Sequence, residues 1–151
     1  MVTIRPGTPA DLAALTEIYR AASLSNPSDR DALLAHPEYL VMGPEGLADG
    51  RTQVAEVDGA VVGFATWAET HVGLDLMELE DLFVHPRLMR RGIATALVAR
   101  ILEILRERGA QRLMVIAARD AAAFYRAVGF VECGTVETTL GPAPRMLLTI
   151  G

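Results

Sequence analysis

The chain has 151 residues, of which 51% are hydrophobic and 22% charged, and its net charge at pH 7 is −5. Length and composition predict one compact N-terminal-to-C-terminal domain, residues 1–151, with enough apolar material for a core. The acidic balance offers no surplus to neutralise nucleic-acid phosphates, no run approaches the roughly 18 apolar residues of a membrane span, and the lone Cys133 closes no internal disulfide.

A strand is predicted over Val2 to Arg5. Thr8-Pro9-Ala10-Asp11 reads as a helix start, with Thr8 as N-cap, Pro9 at the first helical position and Asp11 reaching back. Leu12, Leu15, Ile18, Tyr19 and Ala22 recur at helical spacing, so this helix runs to about Ser23. Asn26-Pro27-Ser28 breaks it, and Ser28 reads as the cap of a second short helix through Leu34. A loop is expected around Pro37, Gly43-Pro44 and Gly46. Gln53 to Val57 and Ala60 to Ala68 are apolar-rich runs joined by Asp58-Gly59, a strong hairpin signal. Leu76 to Val84 is a further strand, ended by His85-Pro86.

From Gly92 to Arg108 the apolar positions Ile93, Leu97, Ile101 and Leu105 mark an amphipathic helix, stopped by Gly109. Leu113 to Ala118 reads as a strand covered on both faces. Asp120 is expected to cap a short helix through Ala127, which Gly129 closes. Strands near Phe130 to Val136 and Arg145 to Ile150 flank a turn at Gly141-Pro142. The order β-α-α-β-β-β-α-β-α-β-β predicts an α/β (α+β) fold: a mixed, mostly antiparallel sheet of about seven strands with helices on both faces.

The segment Leu82 to Leu97 carries the chemistry. It is a strand, a proline-containing turn, then small residues at a helix start. The unpaired N–H groups and partial positive charge of a helix N-terminus suit an anion such as a pyrophosphate. Gly92 and Ala94 let phosphate oxygens approach the backbone, and Arg90 and Arg91 add positive charge. It is neither a Walker loop nor the three-glycine dinucleotide fingerprint.

This segment resembles the coenzyme A-binding motif of the GCN5-related N-acetyltransferases, Gln/Arg-x-x-Gly-x-Gly/Ala. Gly92 and Ala94 match its small positions, and Met89 stands where Gln or Arg is usual. The resemblance implies that amides from Arg90 through Arg91, Gly92, Ile93 and Ala94 to Thr95 hold the pyrophosphate of acetyl-CoA. It implies as well that the strand backbone at Leu82, Phe83 and Val84 binds the pantetheine arm. Phe124-Tyr125-Arg126-Ala127-Val128-Gly129-Phe130 is similar to the family's Phe-Tyr-x-x-x-Gly-Phe signature, which implies Tyr125 as the acid that protonates the departing thiolate. The family's asparagine seven residues earlier is here Ala118.

Acetyl transfer to an amine needs a proton acceptor. Glu78, Glu80 and Asp81 stand in an otherwise apolar strand, where isolated charges are costly. Alternation puts Glu78 and Glu80 on one face and Asp81 on the other, unless a bulge intervenes, as the resemblance implies. Glu80 is the expected base. Glu80-Asp81 is also similar to a Glu-Asp pair of polyamine acetyltransferases, which implies that Asp81, with Glu78 nearby, holds a cationic substrate. The alternative is that these acids pair with Arg87, Arg90 or a helix N-terminus. His36, His71 and His85 read as loop or turn residues, and no Cys/His spacing suggests a metal.

The resulting expectation is a cytoplasmic N-acetyltransferase acting on a small cationic primary amine by direct attack in a ternary complex, without a metal, nucleic acid or membrane. The resemblance adds an expected homodimer through the C-terminal strands. A non-catalytic acyl-CoA-binding or regulatory domain and a protein N-terminal or lysine acetyltransferase are the alternatives.

Overall fold

The computed structural model describes residues 1–150. Its seven-stranded sheet has the order β1-β2-β3-β4-β5-β7-β6. The chain begins with β1 (Val2–Pro6), then helices α1 (Leu12–Leu24), α2 (Arg30–Ala35) and α3 (Glu45–Ala48). Strands β2 (Thr52–Val57), β3 (Ala60–Glu69) and β4 (Met77–Val84) form an antiparallel meander beside β1. The β2–β3 hairpin turns at Asp58 and Gly59, whose φ values of 52° and 80° are the positive pair a tight primed turn requires.

Helix α4 (Ile93–Glu107) then leads to β5 (Arg112–Ile116), which lies parallel to β4. Helix α5 (Ala122–Ala127) and the hairpin β6 (Val131–Thr138) and β7 (Gly141–Thr149) complete the order. β7 inserts between β5 and β6, antiparallel to both. The mixed, mostly antiparallel sheet with helices on both faces is therefore as expected.

Period-two alternation along the strands feeds two apolar layers. On one face Leu15 and Ile18 of α1 meet Val54 and Phe64. On the other, Leu97, Ile101 and Leu105 of α4 pack with Ala65, Trp67, Leu113 and Met146. At the start of the chain the Thr8 N–H donates to the Asp11 carboxylate at 2.9 Å, as its spacing predicts. Arg5 donates two further hydrogen bonds to Asp11, each 2.9 Å, and these pull the Asp11 carboxyl down to about 2.

The structure departs from the sequence expectations at four places. Ser28 and Asp120 cap no helix: the Ser28 hydroxyl donates to the Asp120 carboxylate at 2.8 Å, so each has taken the other instead of a local N–H. Gly141-Pro142 is not the final turn but the start of β7, and the chain reverses at Thr139-Leu140. The prolines at 142 and 144 are tolerated because they lie beyond the β5 ladder, which pairs only Arg145 to Thr149. Lastly, α3 forms inside the segment read as a loop. Gly46 there packs so closely that a Cβ would meet Thr66 at 2.7 Å and Thr52 at 2.8 Å, and those two hydroxyls hydrogen-bond each other at 2.8 Å.

Leu97 is fully buried at the centre of the α4 layer. Leu97→Ala is expected to lower the unfolding free energy by about 3 kcal/mol in urea titration, with the m-value unchanged.

Candidate active site

β4 contains one residue more than β3 needs. Asp81 pairs with Thr66 and Leu79 with Trp67, so Glu80 is the bulged residue without a partner on β3. The alternation read from sequence is thereby reset. Asp81 joins Phe83 on the α1 face, opposite Thr66 and Phe64, and Glu78 shares that face opposite Ala68. Glu80 is the exposed member of the three.

β4 also parts from β5. Their parallel pairing covers only Met77 with Leu113 and Glu78 with Met114, after which the strands diverge. A slot of about 240 Å³ opens between them, walled by Leu82, Phe83, Val115, Ala118 and Tyr125. It continues into a groove of about 440 Å³ at the head of α4, lined by Arg90, Gly92, Ile93, Ala94 and Thr95. Leu82, Val84 and Tyr125 line both.

The head of α4 is built to leave amides free. Its cap residue, Gly92, has φ 79° and offers no side chain, and the first intrahelical bond runs from Ala96 N–H to the Gly92 carbonyl. The N–H groups of Ile93, Ala94 and Thr95 therefore have no helical partner and stand beside the groove. Arg90 lines the groove with them, whereas Arg91 is exposed on the preceding turn and does not. His85 is a turn residue, its Nδ1 accepting the Arg87 N–H at 3.2 Å.

A third cavity, about 160 Å³, lies on the α1 face between Tyr19, Glu45, Gly46, Thr66, Glu80 and Asp81. Of its residues only Glu80 also lines the slot. Three carboxylates thus surround one small space, and the cation nearest them is Arg51, 3.8 Å from Glu80. Glu80 therefore pairs with Arg51 rather than with Arg87, Arg90 or a helix end. Arg51 is held by its donation to the Trp67 carbonyl at 2.8 Å and by Asp49 at 3.2 Å. Sequence reasoning missed Arg51, Tyr19 and Glu45, because neither helical spacing nor turn chemistry marks the side chains that long-range packing brings together.

Burial, and then the charge of Glu80, push the Asp81 carboxyl up to about 6, while Thr66 and Arg51 pull less strongly the other way. Glu78 is raised for the same two leading reasons. The Tyr125 phenol, buried and edge-on to Phe124 and Phe130, is raised well above the usual range, by burial first and by Asp81 second.

The sequence profile of the acetyltransferase (GNAT) family matches residues 12–130, a span holding both the α4 groove and Tyr125. The chain belongs to this family. It is 30% identical over 100 residues to an uncharacterized N-acetyltransferase of Methanocaldococcus jannaschii; the match covers 62% of this chain and 44% of that protein, so the chain spans less than half of that curated relative. A GCN5-related N-acetyltransferase of Rhodopseudomonas palustris is 26% identical with a TM-score of 0.74, over 97% of this chain and 94% of that one. The yncA protein of Salmonella typhimurium, solved with its cofactor acetyl-CoA, is 25% identical with a TM-score of 0.73, over 99% and 94% of the two chains. The overall fold is thus shared with proteins of known structure.

Asp81 ionises less readily in the folded chain, at about 6, than an unfolded aspartate, at about 3.9. Its charge therefore costs nothing below about pH 4, where both states are protonated, and costs most above pH 6. Asp81→Asn is expected to stabilise the GNAT domain by about 1–2 kcal/mol at pH 7.5, with the difference vanishing near pH 4. Thermal unfolding of both proteins across that range measures it.

Proposed function

We propose that this GNAT protein transfers the acetyl group of acetyl-CoA to a small cationic primary amine, which attacks the thioester directly in a ternary complex. One observation carries the reading: Glu80 alone borders both the slot that ends at Tyr125 and the acidic cavity on the α1 face.

The residues present fit the donor. Free amides at Ile93, Ala94 and Thr95, with Arg90 beside them, suit a pyrophosphate, and the mainly apolar slot has the narrow form a pantetheine arm needs. When bound, acetyl-CoA supplies the activated acyl group as a thioester. The chain's own residues supply the rest.

The cavity of Glu45, Glu80 and Asp81 attracts an ammonium ion and has the volume of a small amine. A neutral nitrogen is required for attack, and Glu80 is placed to take the proton, with Arg51 steadying the carboxylate. Glu80 is exposed, so the proton passes from it to solvent. Asp81 faces the same cavity from a more buried position and holds the cation. On the far side of the slot Tyr125 stays protonated at neutral pH, because burial and Asp81 oppose phenolate. It can therefore give its proton to the sulfur as the carbon–sulfur bond breaks. No covalent acyl-enzyme is needed.

Free-thiol release from acetyl-CoA across mono- and diamines, aminated sugars and peptides tests the reading. Turnover is expected with small cationic amines, with kcat reduced about 100-fold in Glu80→Gln and by about 10- to 1,000-fold in Tyr125→Phe. Binding of acetyl-CoA without thiol release from any amine overturns it in favour of a binding module. Turnover with peptides alone overturns the small-molecule acceptor.

A further inference from the structure

The groove and the slot are lined mainly by hydrocarbon. Among their polar side chains, only Asn26 and Tyr125 line both. The other polar groups nearby are already engaged or lie at one end. The Ser25 hydroxyl donates to the Ala22 carbonyl at 2.6 Å, and the Asp120 carboxylate accepts from Ser28 at 2.8 Å. Arg90 and Thr95 line the groove at the head of α4, and Glu80 lines the slot at its opposite end.

Asn26 is different. It lies in the connection between α1 and α2, half-buried, and its backbone is fully engaged: its N–H donates to Ser23, and its carbonyl accepts from Asp29 and Arg30 at 3.1 Å each. The hydrogen bonds it makes within the chain run through that backbone, which leaves the carboxamide with a donor and an acceptor to offer. The connection is also anchored across the cleft. The nearly buried Asp29 carboxylate accepts from Arg119 at 2.9 Å, and Ser28 reaches Asp120. Two ties on the residues just after it hold Asn26 over the groove from the α1 side. Opposite, at Ala118, the slot wall presents only a methyl group.

A pantetheine arm carries two secondary amides, each with one donor and one acceptor. An amide drawn into an apolar slot without partners is costly, and a primary carboxamide can accept from the N–H of one such amide and donate to the carbonyl of the other. We propose that Asn26 binds the pantetheine arm of coenzyme A through its side-chain amide, from the α1–α2 connection, at a level of the slot where the β5 side has no polar side chain to offer. This assignment rests on the acetyl-CoA reading above and adds a cofactor-binding residue outside the α4 groove motif.

Calorimetric titration of coenzyme A, and of adenosine 3′-phosphate 5′-diphosphate as a probe that keeps the pyrophosphate but lacks the pantetheine arm, tests the assignment. Asn26→Ala is expected to weaken coenzyme A about three- to tenfold, the worth of one or two neutral hydrogen bonds. The diphosphate should bind as it does to the wild type, and the melting temperature should be unchanged. Adding Ala118→Asn to Asn26→Ala returns a carboxamide to the slot from the opposite wall and is expected to recover part of the loss. Coenzyme A binding within twofold of wild type in Asn26→Ala overturns the assignment. So does an equal loss for both probes, which places the effect at the pyrophosphate end. A wild-type chain that binds neither coenzyme A nor acetyl-CoA overturns the parent reading together with this one.

Discussion

One extra residue in β4 governs the site. Without the bulge at Glu80, strict alternation would point Glu80 with Glu78 and turn Asp81 and Phe83 toward α4. Asp81 would then lie in the layer built by Leu97 and Ile101, where nothing could offset its charge. The bulge moves Asp81 to Thr66 and leaves Glu80 unpaired at the strand surface. It falls just beyond the last residue of β4 that pairs with β5, so the local bend coincides with the divergence that opens the slot. Carboxylate placement and the cleft thus follow from the same irregularity, and a regular strand would forfeit both.

The electrostatics show what this arrangement costs. Burial, and then repulsion from Glu80, raises both Asp81, on the space of about 160 Å³, and Glu78 beside it in β4. Arg51 offsets part of the repulsion but is committed to the Trp67 carbonyl and Asp49 in addition to Glu80. An arriving cation would relieve what Arg51 does not. A site that bound its cation by relieving this repulsion would trade stability for affinity, as a functional cluster does and a structural ion pair does not. The Arg5–Asp11 pair makes the contrast: there the hydrogen bonds depress the carboxyl, and the contact stabilises the fold.

Much of this was legible in the residues. Hydrophobic periodicity located α1 and α4 to within a few positions, Asp58-Gly59 marked its hairpin, and Gly92 with Ala94 marked the head of α4, because each signal is local. The missed features depend on partners distant in sequence. Ser28 and Asp120 look like helix caps until they are found hydrogen-bonded across 92 positions. Glu45 and Gly46 read as loop because α3 exists only by packing on Thr52 and Thr66. Arg51 has no motif at all, and its role appears only when β2 lies beside β3 and Glu80 bulges toward it. Arg91 is exposed on the turn before Gly92 and, unlike Arg90, does not line the groove.

The two halves of the site share a wall, with a consequence for specificity. Tyr19 of α1 lines the acidic cavity, while Ala22, near the end of the same helix, and Asn26 just beyond it line the slot. Tyr19 is fixed by its hydroxyl on the Tyr39 carbonyl at 2.8 Å and by an edge-on contact with Phe83, which itself walls the slot. The far end of the segment is fixed by Asp29 on Arg119. A shift of α1 large enough to widen the cavity for a bulkier amine must therefore also move the wall of the slot or break one of these ties. Packed interiors resist such shifts, and Gly46 and Leu47 hold α3 to the same core, so a change of acceptor is more readily reached through the exposed Glu45 side chain, which lines only the cavity. Under the proposed function, donor geometry would thus be tied to the core by α1, and acceptor choice would rest on a side chain at the cavity rim rather than on the backbone that the core holds.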